Sequence, residues 1–172
     1  EIFDAGHVLG SAFYRIHVDG KSIVFSGDLG NSPAPIIRDL EDLPESDYVV
    51  MESTYGARVH EGTDTRQKDL RDAIIETVHA GGVLMIPAFA LERTQDLLYH
   101  IDTLVNTGQI PRVPVYMDSP LAIRLTTIYE KYRSYFNESS SAAVASGNDI
   151  LNFPGLHSCL TPEESKAINH AP

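Results

Sequence analysis

Three side chains able to ligate a metal or handle a proton stand beside glycine at what read as strand ends. They are His7 in Asp4-Ala5-Gly6-His7-Val8-Leu9-Gly10, Asp28 in Ser26-Gly27-Asp28-Leu29-Gly30, and Glu52 in Met51-Glu52-Ser53-Thr54-Tyr55-Gly56. Loops at strand ends are where a sheet presents functional groups. Glycine neighbours let the backbone come close to a bound ion or phosphate. Imidazole nitrogen and carboxylate oxygen are both good ligands for Zn²⁺. Each residue also has an ordinary reading: a structural imidazole for His7, a turn cap for Asp28. Glu52 is the least ordinary, because a carboxylate directly after an apolar strand sits at a buried sheet edge.

The elements that would position these groups follow from the hydropathy pattern. Residues 13–18 and 21–25 read as strands joined by the hairpin turn Asp19-Gly20. Asp47 to Met51 is a short apolar run of the kind buried on both faces. After Gly56 the rhythm changes. Leu70, Ile74, Ile75 and Val78 predict a helix over 64–79, with Thr63 or Asp64 as its N-cap. Further strands are expected at 83–86 and 113–117, as neighbours in one sheet, and helices at 91–105 and 120–136. Strands alternating with helices imply a parallel sheet with helices packed on it, an α/β architecture. The Ser-, Ala- and Asn-rich segment 137–160 carries no clear pattern, and Thr161-Pro162 opens a short helix over 161–169. The junction near residue 56 reads as a domain boundary or an insertion point.

Composition limits the function classes. A hydrophobic content of 42% is enough for a packed core. The single cysteine, Cys159, rules out an internal disulfide framework. No apolar run approaches the ~20 residues of a membrane span, so no membrane partner is expected. The chain opens on Glu1-Ile2-Phe3-Asp4, with neither an initiator Met nor a basic leader, and reads as the middle of a domain of a cytoplasmic protein. The net charge of −11 argues against a nonspecific polyanion binder. It leaves room for a phosphodiesterase, in which bound metal cations supply the local positive charge.

The three segments, in this order, resemble the metallo-β-lactamase superfamily, and within it the β-CASP branch of nucleases. Ala5-Gly6-His7-Val8-Leu9-Gly10-Ser11-Ala12 resembles a motif whose His is a zinc ligand. Ser26-Gly27-Asp28 resembles the motif whose Asp bridges two zincs, and Glu52-Ser53-Thr54-Tyr55-Gly56 the β-CASP motif in its RNA-processing form. The likeness continues through Ile86-Pro87-Ala88-Phe89-Ala90-Leu91-Glu92-Arg93-Thr94-Gln95 and Tyr116-Met117-Asp118-Ser119-Pro120-Leu121-Ala122. It implies part of a metallo-β-lactamase αββα domain over residues 1–56, followed by most of a β-CASP domain over 57–172.

The resemblance implies a zinc-dependent RNA phosphodiester hydrolase, cutting internally, from the 5′ end, or both, with two zinc ions in the intact enzyme. His7 would ligate one zinc, Asp28 would bridge both, and Glu52 would act catalytically by orienting a metal-ligating His. Ser119, at a helix N-terminus, and Arg93 would bind RNA phosphates, although a surface or capping charge explains Arg93 as well. The main His-x-His-x-Asp-His motif and two later histidine motifs are absent from residues 1–172, so the chain is expected to be an internal fragment with an incomplete metal site. His157 and His170 lack a matching context, and His60 is a weak candidate for a substrate contact. A homo-oligomer is possible. Two other readings are a noncatalytic scaffold subunit of the same family and a small-molecule metallo-hydrolase. The helix-and-strand insert after Gly56 argues against the second.

Overall fold

The computed structural model describes residues 1–58 and 63–170, with the side chains of Thr63 and Asp64 outside the described set. His60 and the side chains of the two N-cap candidates of the first helix therefore lie outside the described residues. The chain forms two compact units. Glu1–Val59 with Arg133–Ala142 make the first, and His60–Tyr132 with Ala143–Pro172 the second.

The first unit is built on a four-stranded sheet of β1 (Ile2–Asp4), β2 (Ala12–Val18), β3 (Lys21–Phe25) and β4 (Tyr48–Val50), in that spatial order. The first two pairings are antiparallel and β3–β4 is parallel. The expected hairpin is present: Val18 pairs with Lys21 around Asp19 and Gly20, both at positive φ. That geometry suits the twist of a two-residue turn. Alternation along the strands sends Phe13 and Val24 to one face, where they pack with Ala5, Phe3, Leu29 and Leu40. Phe3 and Phe13 stack with ring centroids 4.9 Å apart.

β4 departs from the expectation of a strand buried on both faces. Tyr48 and Val50 are 59% and 52% exposed. Among the described residues β4 is the terminal strand, hydrogen-bonded only to β3, and an apolar run does not specify what covers it. Its start is fixed by Asp47, which accepts from Lys21 Nζ at 2.7 Å and from Ser22 N at 2.9 Å. Part of the unassigned segment returns to this unit. Asn137 N donates to Ile36 O at 2.8 Å, and Asn137 Nδ2 to Ala34 O at 2.8 Å, beside buried Ile36, Ile37 and Phe136.

The second unit is α/β. It contains α1 (Thr63–His79), α2 (Arg93–Asn106), β5 (Val115–Met117), α3 (Pro120–Lys131), β6 (Leu156–Ser158) and α5 (Pro162–Ala167), with α4 (Glu138–Ala145) running across the division between the units. α2 contributes Leu98, Ile101 and Leu104 to the buried set, and α3 contributes Ala122 and Tyr129. α3 ends at Lys131, short of 136, and a 3-10 turn over Arg133–Tyr135 follows. α5 starts as read: Thr161 accepts from Glu164 N and the Glu164 carboxylate accepts from Thr161 N, a reciprocal cap with Pro162 at the first position.

The sheet partner of β5 is a correction. The run 83–86 forms no strand, and Val83 and Met85 are each 85% exposed. β5 pairs in parallel with β6, in the register Val115↔Leu156 to Met117↔Ser158. Gly155 makes this pairing possible. A Cβ there would lie 2.8 Å from Val113 O, so only glycine allows the approach, and its carbonyl accepts from Val115 N at 2.8 Å. Among the described residues, no helix is long and apolar enough to cross a membrane.

Candidate functional site

In the first unit, three chain segments converge through backbone contacts. The loop after β1 is closed by Ser11, whose Oγ accepts from His7 N and Val8 N at 3.1 Å each. That loop lies against the turn after β3. Gly30 N donates to Ala5 O at 2.9 Å, and a Cβ on Gly30 would meet Gly6 O at 1.7 Å and His7 N at 2.7 Å. Gly6 is as tightly held, since a Cβ there would fall 2.4 Å from Leu40 N. Gly6 and Gly30 are thus explained by close backbone approach, whereas Gly27, directly before Asp28, is at φ +53° with no close contact.

Glu52, just beyond β4, is tied to the same turn. Its Oε1 accepts from Leu29 N at 2.9 Å, and its own N–H donates to Ser26 Oγ at 3.0 Å. Ser26 N in turn donates to Val50 O at 3.0 Å. The Leu29 amide, then the Thr54 hydroxyl and amide, hold the Glu52 carboxyl below its usual range, and the nearby His7 adds to this. Ser26, almost fully buried, is the structural link that sequence reading passed over as part of a Ser-Gly-Asp turn. Its signal is a small hydroxyl residue at the strand end, able to bond backbone groups of the neighbouring strand.

The structure therefore brings His7, the Asp28 turn and Glu52 to one end of the sheet, past the C-terminal ends of β1, β3 and β4. The His7 imidazole and Asp28 carboxylate are exposed and hydrogen-bond to no described residue, whereas Glu52 is committed to backbone amides. Among the described residues, no group of three or more His, Cys, Asp or Glu could hold a metal ion. Two uncommitted donors fit part of a zinc coordination shell, which needs three or four protein ligands.

Arg93 and Ser119 lie in the second unit. Ser119 is the N-cap of α3, extended at φ −155°, with Oγ accepting from Ala122 N at 3.2 Å. Just before it, Asp118 accepts from Ser165 Oγ at 2.9 Å. Arg93 opens α2, its side chain 58% exposed and its Nη1 3.6 Å from Asp96 Oδ2. His157 stacks on Tyr116 with centroids 5.1 Å apart.

Asp96 has a consequence for stability. Among the described residues its Oδ1 is buried without a partner, and burial pushes its pKa up to about 6, against the opposing pull of Arg93 and Arg66. A carboxyl whose folded pKa exceeds its unfolded value binds more protons in the folded state. Stability is therefore lost as pH rises through the window from 3.8 to about 6. Asp96→Asn is expected to remove this loss and raise stability at pH 7 by about 2–3 kcal/mol. His100, whose burial lowers its pKa, acts in the opposite sense on acidification below 6.5. The check is the difference between wild type and D96N in urea unfolding from pH 4 to pH 7, which should widen with pH. A constant difference would refute the account.

Comparison with known proteins bears on what this arrangement belongs to. Residues 94–172 match the Beta-Casp domain. The chain is 37% identical over 168 residues to Ribonuclease TTHA0252 of Thermus thermophilus, covering 98% of the chain and 38% of the relative. It is 34% identical over 140 residues to an RNase J-like protein of Methanocaldococcus jannaschii, covering 80% of the chain and 33% of the relative. It is 35% identical over 152 residues to cleavage and polyadenylation specificity factor subunit 3-I of Arabidopsis thaliana, covering 87% of the chain and 22% of the relative. The chain spans well under half the length of each. The match to the domain and the agreement among relatives from three lineages place residues 94–172 of this α/β chain in the β-CASP family.

Proposed function

We propose that this chain is a section of a zinc-dependent RNA phosphodiester hydrolase, with His7 and Asp28 contributing two ligands of its metal centre. The observation that carries the reading is the backbone-to-backbone seating of the His7 loop on the Asp28–Gly30 turn, with Glu52 bonded to the same turn. Such seating fixes an imidazole and a carboxylate on glycine-flanked loops without engaging either. The relatives bearing ribonuclease names supply the substrate class. Zinc bound there would supply an activated water and polarise the scissile phosphate. Glu52, its carboxylate ionised and held by amides, is a positioning residue for that centre. Arg93 and the N-terminal amides of α3 beside Ser119 are the proposed phosphate contacts. The proposed domains are a partial metallo-β-lactamase unit over 1–56 and β-CASP over 57–172, in a cytoplasmic protein.

Carried within a polypeptide of its relatives' length, the chain is expected to cleave a labelled single-stranded RNA. Chelation should abolish cleavage and zinc should restore it. Residues 1–172 alone are expected to hold zinc weakly, having two of the three or four ligands required. Two tightly held zincs on 1–172 alone, or chelator-resistant cleavage by the longer protein, would overturn the reading.

A further inference from the structure

A buried polar clamp sets the turn that leads into α2. Glu92 has φ +64°, the left-handed region that a side chain makes costly and that glycine adopts freely. Its carboxylate is buried as well, and accepts from the hydroxyl of fully buried Tyr129 on α3. A second link lies beside the first. Gln95, fully buried three residues on, donates through Nε2 to Thr126 Oγ1 at 2.9 Å and to Ala90 O at 3.2 Å. A turn alone does not call for this. Glycine at position 92 would give the same backbone without strain and without burying a carboxylate. Strain that surrounding bonds maintain points to a function for the group it places.

What the clamp places is Arg93. Its N–H donates to Leu91 O at 2.8 Å inside the turn, so its backbone follows the conformation of Glu92 directly. Its side chain is 58% exposed, and its ion pair with Asp96 is long, 3.6 Å from Nη1 to Oδ2. A long side chain in solvent gives up rotamer freedom when it meets a phosphate. A root held in one direction lowers what remains to be ordered on binding. We infer that Glu92 and Tyr129 are positioning residues for the Arg93 phosphate contact: the bond between them fixes the direction in which Arg93 leaves the turn. Both are buried, and they act on RNA only through Arg93. The inference rests on the proposed RNA substrate and on Arg93 as one of its contacts. It adds a pair of residues 37 positions apart that sets that contact.

The test uses the longer protein and a non-cleavable single-stranded RNA. Tyr129→Phe keeps the ring and removes the donor. It should weaken RNA binding about ten-fold, the cost of one charge-assisted contact. The slope of log affinity against log salt should flatten by about 0.7, the share of one phosphate on a single strand. In an Arg93→Gln background, itself about ten-fold weaker, Tyr129→Phe should cost nothing further. Glu92→Gly adopts the positive φ without strain and carries the test if Tyr129→Phe fails to fold. It should bind as weakly as Tyr129→Phe. Glu92→Gln keeps an oxygen for the Tyr129 hydroxyl and should restore wild-type affinity. Wild-type RNA affinity in Tyr129→Phe or Glu92→Gly, an unchanged salt slope, or a Tyr129→Phe penalty that persists in full beside Arg93→Gln would overturn the inference. In those cases RNA cleavage by wild type would persist. If wild type neither binds nor cleaves RNA, the functional reading falls and this inference with it.

Discussion

Asp28→Ala in the longer protein is expected to abolish RNA cleavage while RNA affinity stays near wild type. Asp28 leaves β3 on the turn that carries the Glu52 contact and supports the His7 loop, and its carboxylate bonds to no described residue. Removing it therefore deletes a proposed metal ligand without stripping a structural partner. Loss of a residue that only orients a ligand costs roughly 10–100-fold in metal affinity or activity, so loss of the ligand itself should exceed about 100-fold. Affinity should survive because the proposed RNA contacts, Arg93 and the start of α3, belong to the other unit. Turnover and Kd measured separately on a cleavable and a non-cleavable RNA check both halves. Wild-type turnover at saturating zinc would remove Asp28 from the metal centre.

Gly30→Ala should be the most damaging single methyl in the first unit. The added carbon would lie 1.7 Å from Gly6 O and 2.1 Å from Gly6 C, both backbone atoms with no rotamer to change. Relief requires the His7 loop to lift off the turn, breaking the 2.9 Å bond from Gly30 N to Ala5 O. Overpacking typically costs about 1–3 kcal/mol where side chains can yield, and here none can, so about 3 kcal/mol or more is expected. For a chain of this size, that lowers Tm by roughly 6 °C or more. Gly10→Ala is the contrast. Gly10 is at φ +85° and a Cβ added there would meet nothing within 4 Å, so its cost is conformational only, about 1–2 kcal/mol. Comparable melting for the two variants would show that the loop and turn are not seated on each other.

Much of the candidate site was legible because its signals are local. A glycine beside a His or Asp at a strand end marks a tight loop whatever the rest of the chain does, and the loops at His7 and Asp28 lie where that grammar put them. The Asp19-Gly20 hairpin and the Thr161–Glu164 cap are decided within a few residues by backbone sterics and a single hydrogen bond, and both are present. The beginning of α2 was less legible. Hydropathy carries the helix back to Leu91, but Glu92 turns to positive φ to reach Tyr129, a residue 37 positions away.

What residues 1–172 determined by themselves is the kind of element at most positions and which side chains stand at its ends, since propensity, capping and turn chemistry act over one or two turns of chain. Only the tertiary structure decided which elements meet. Hydropathy marks the run 83–86 as the strand neighbour of β5, yet β5 pairs with the run 156–158. That pairing needs the close approach of Gly155 to Val113, which a residue with a Cβ would block. In the same way, Ser26 became the tie between β4 and the Asp28 turn, and the Arg133–Ala142 segment joined the first unit through Asn137. Pairings of this kind depend on steric fit and hydrogen bonds between residues far apart in sequence. No periodicity within either segment encodes them.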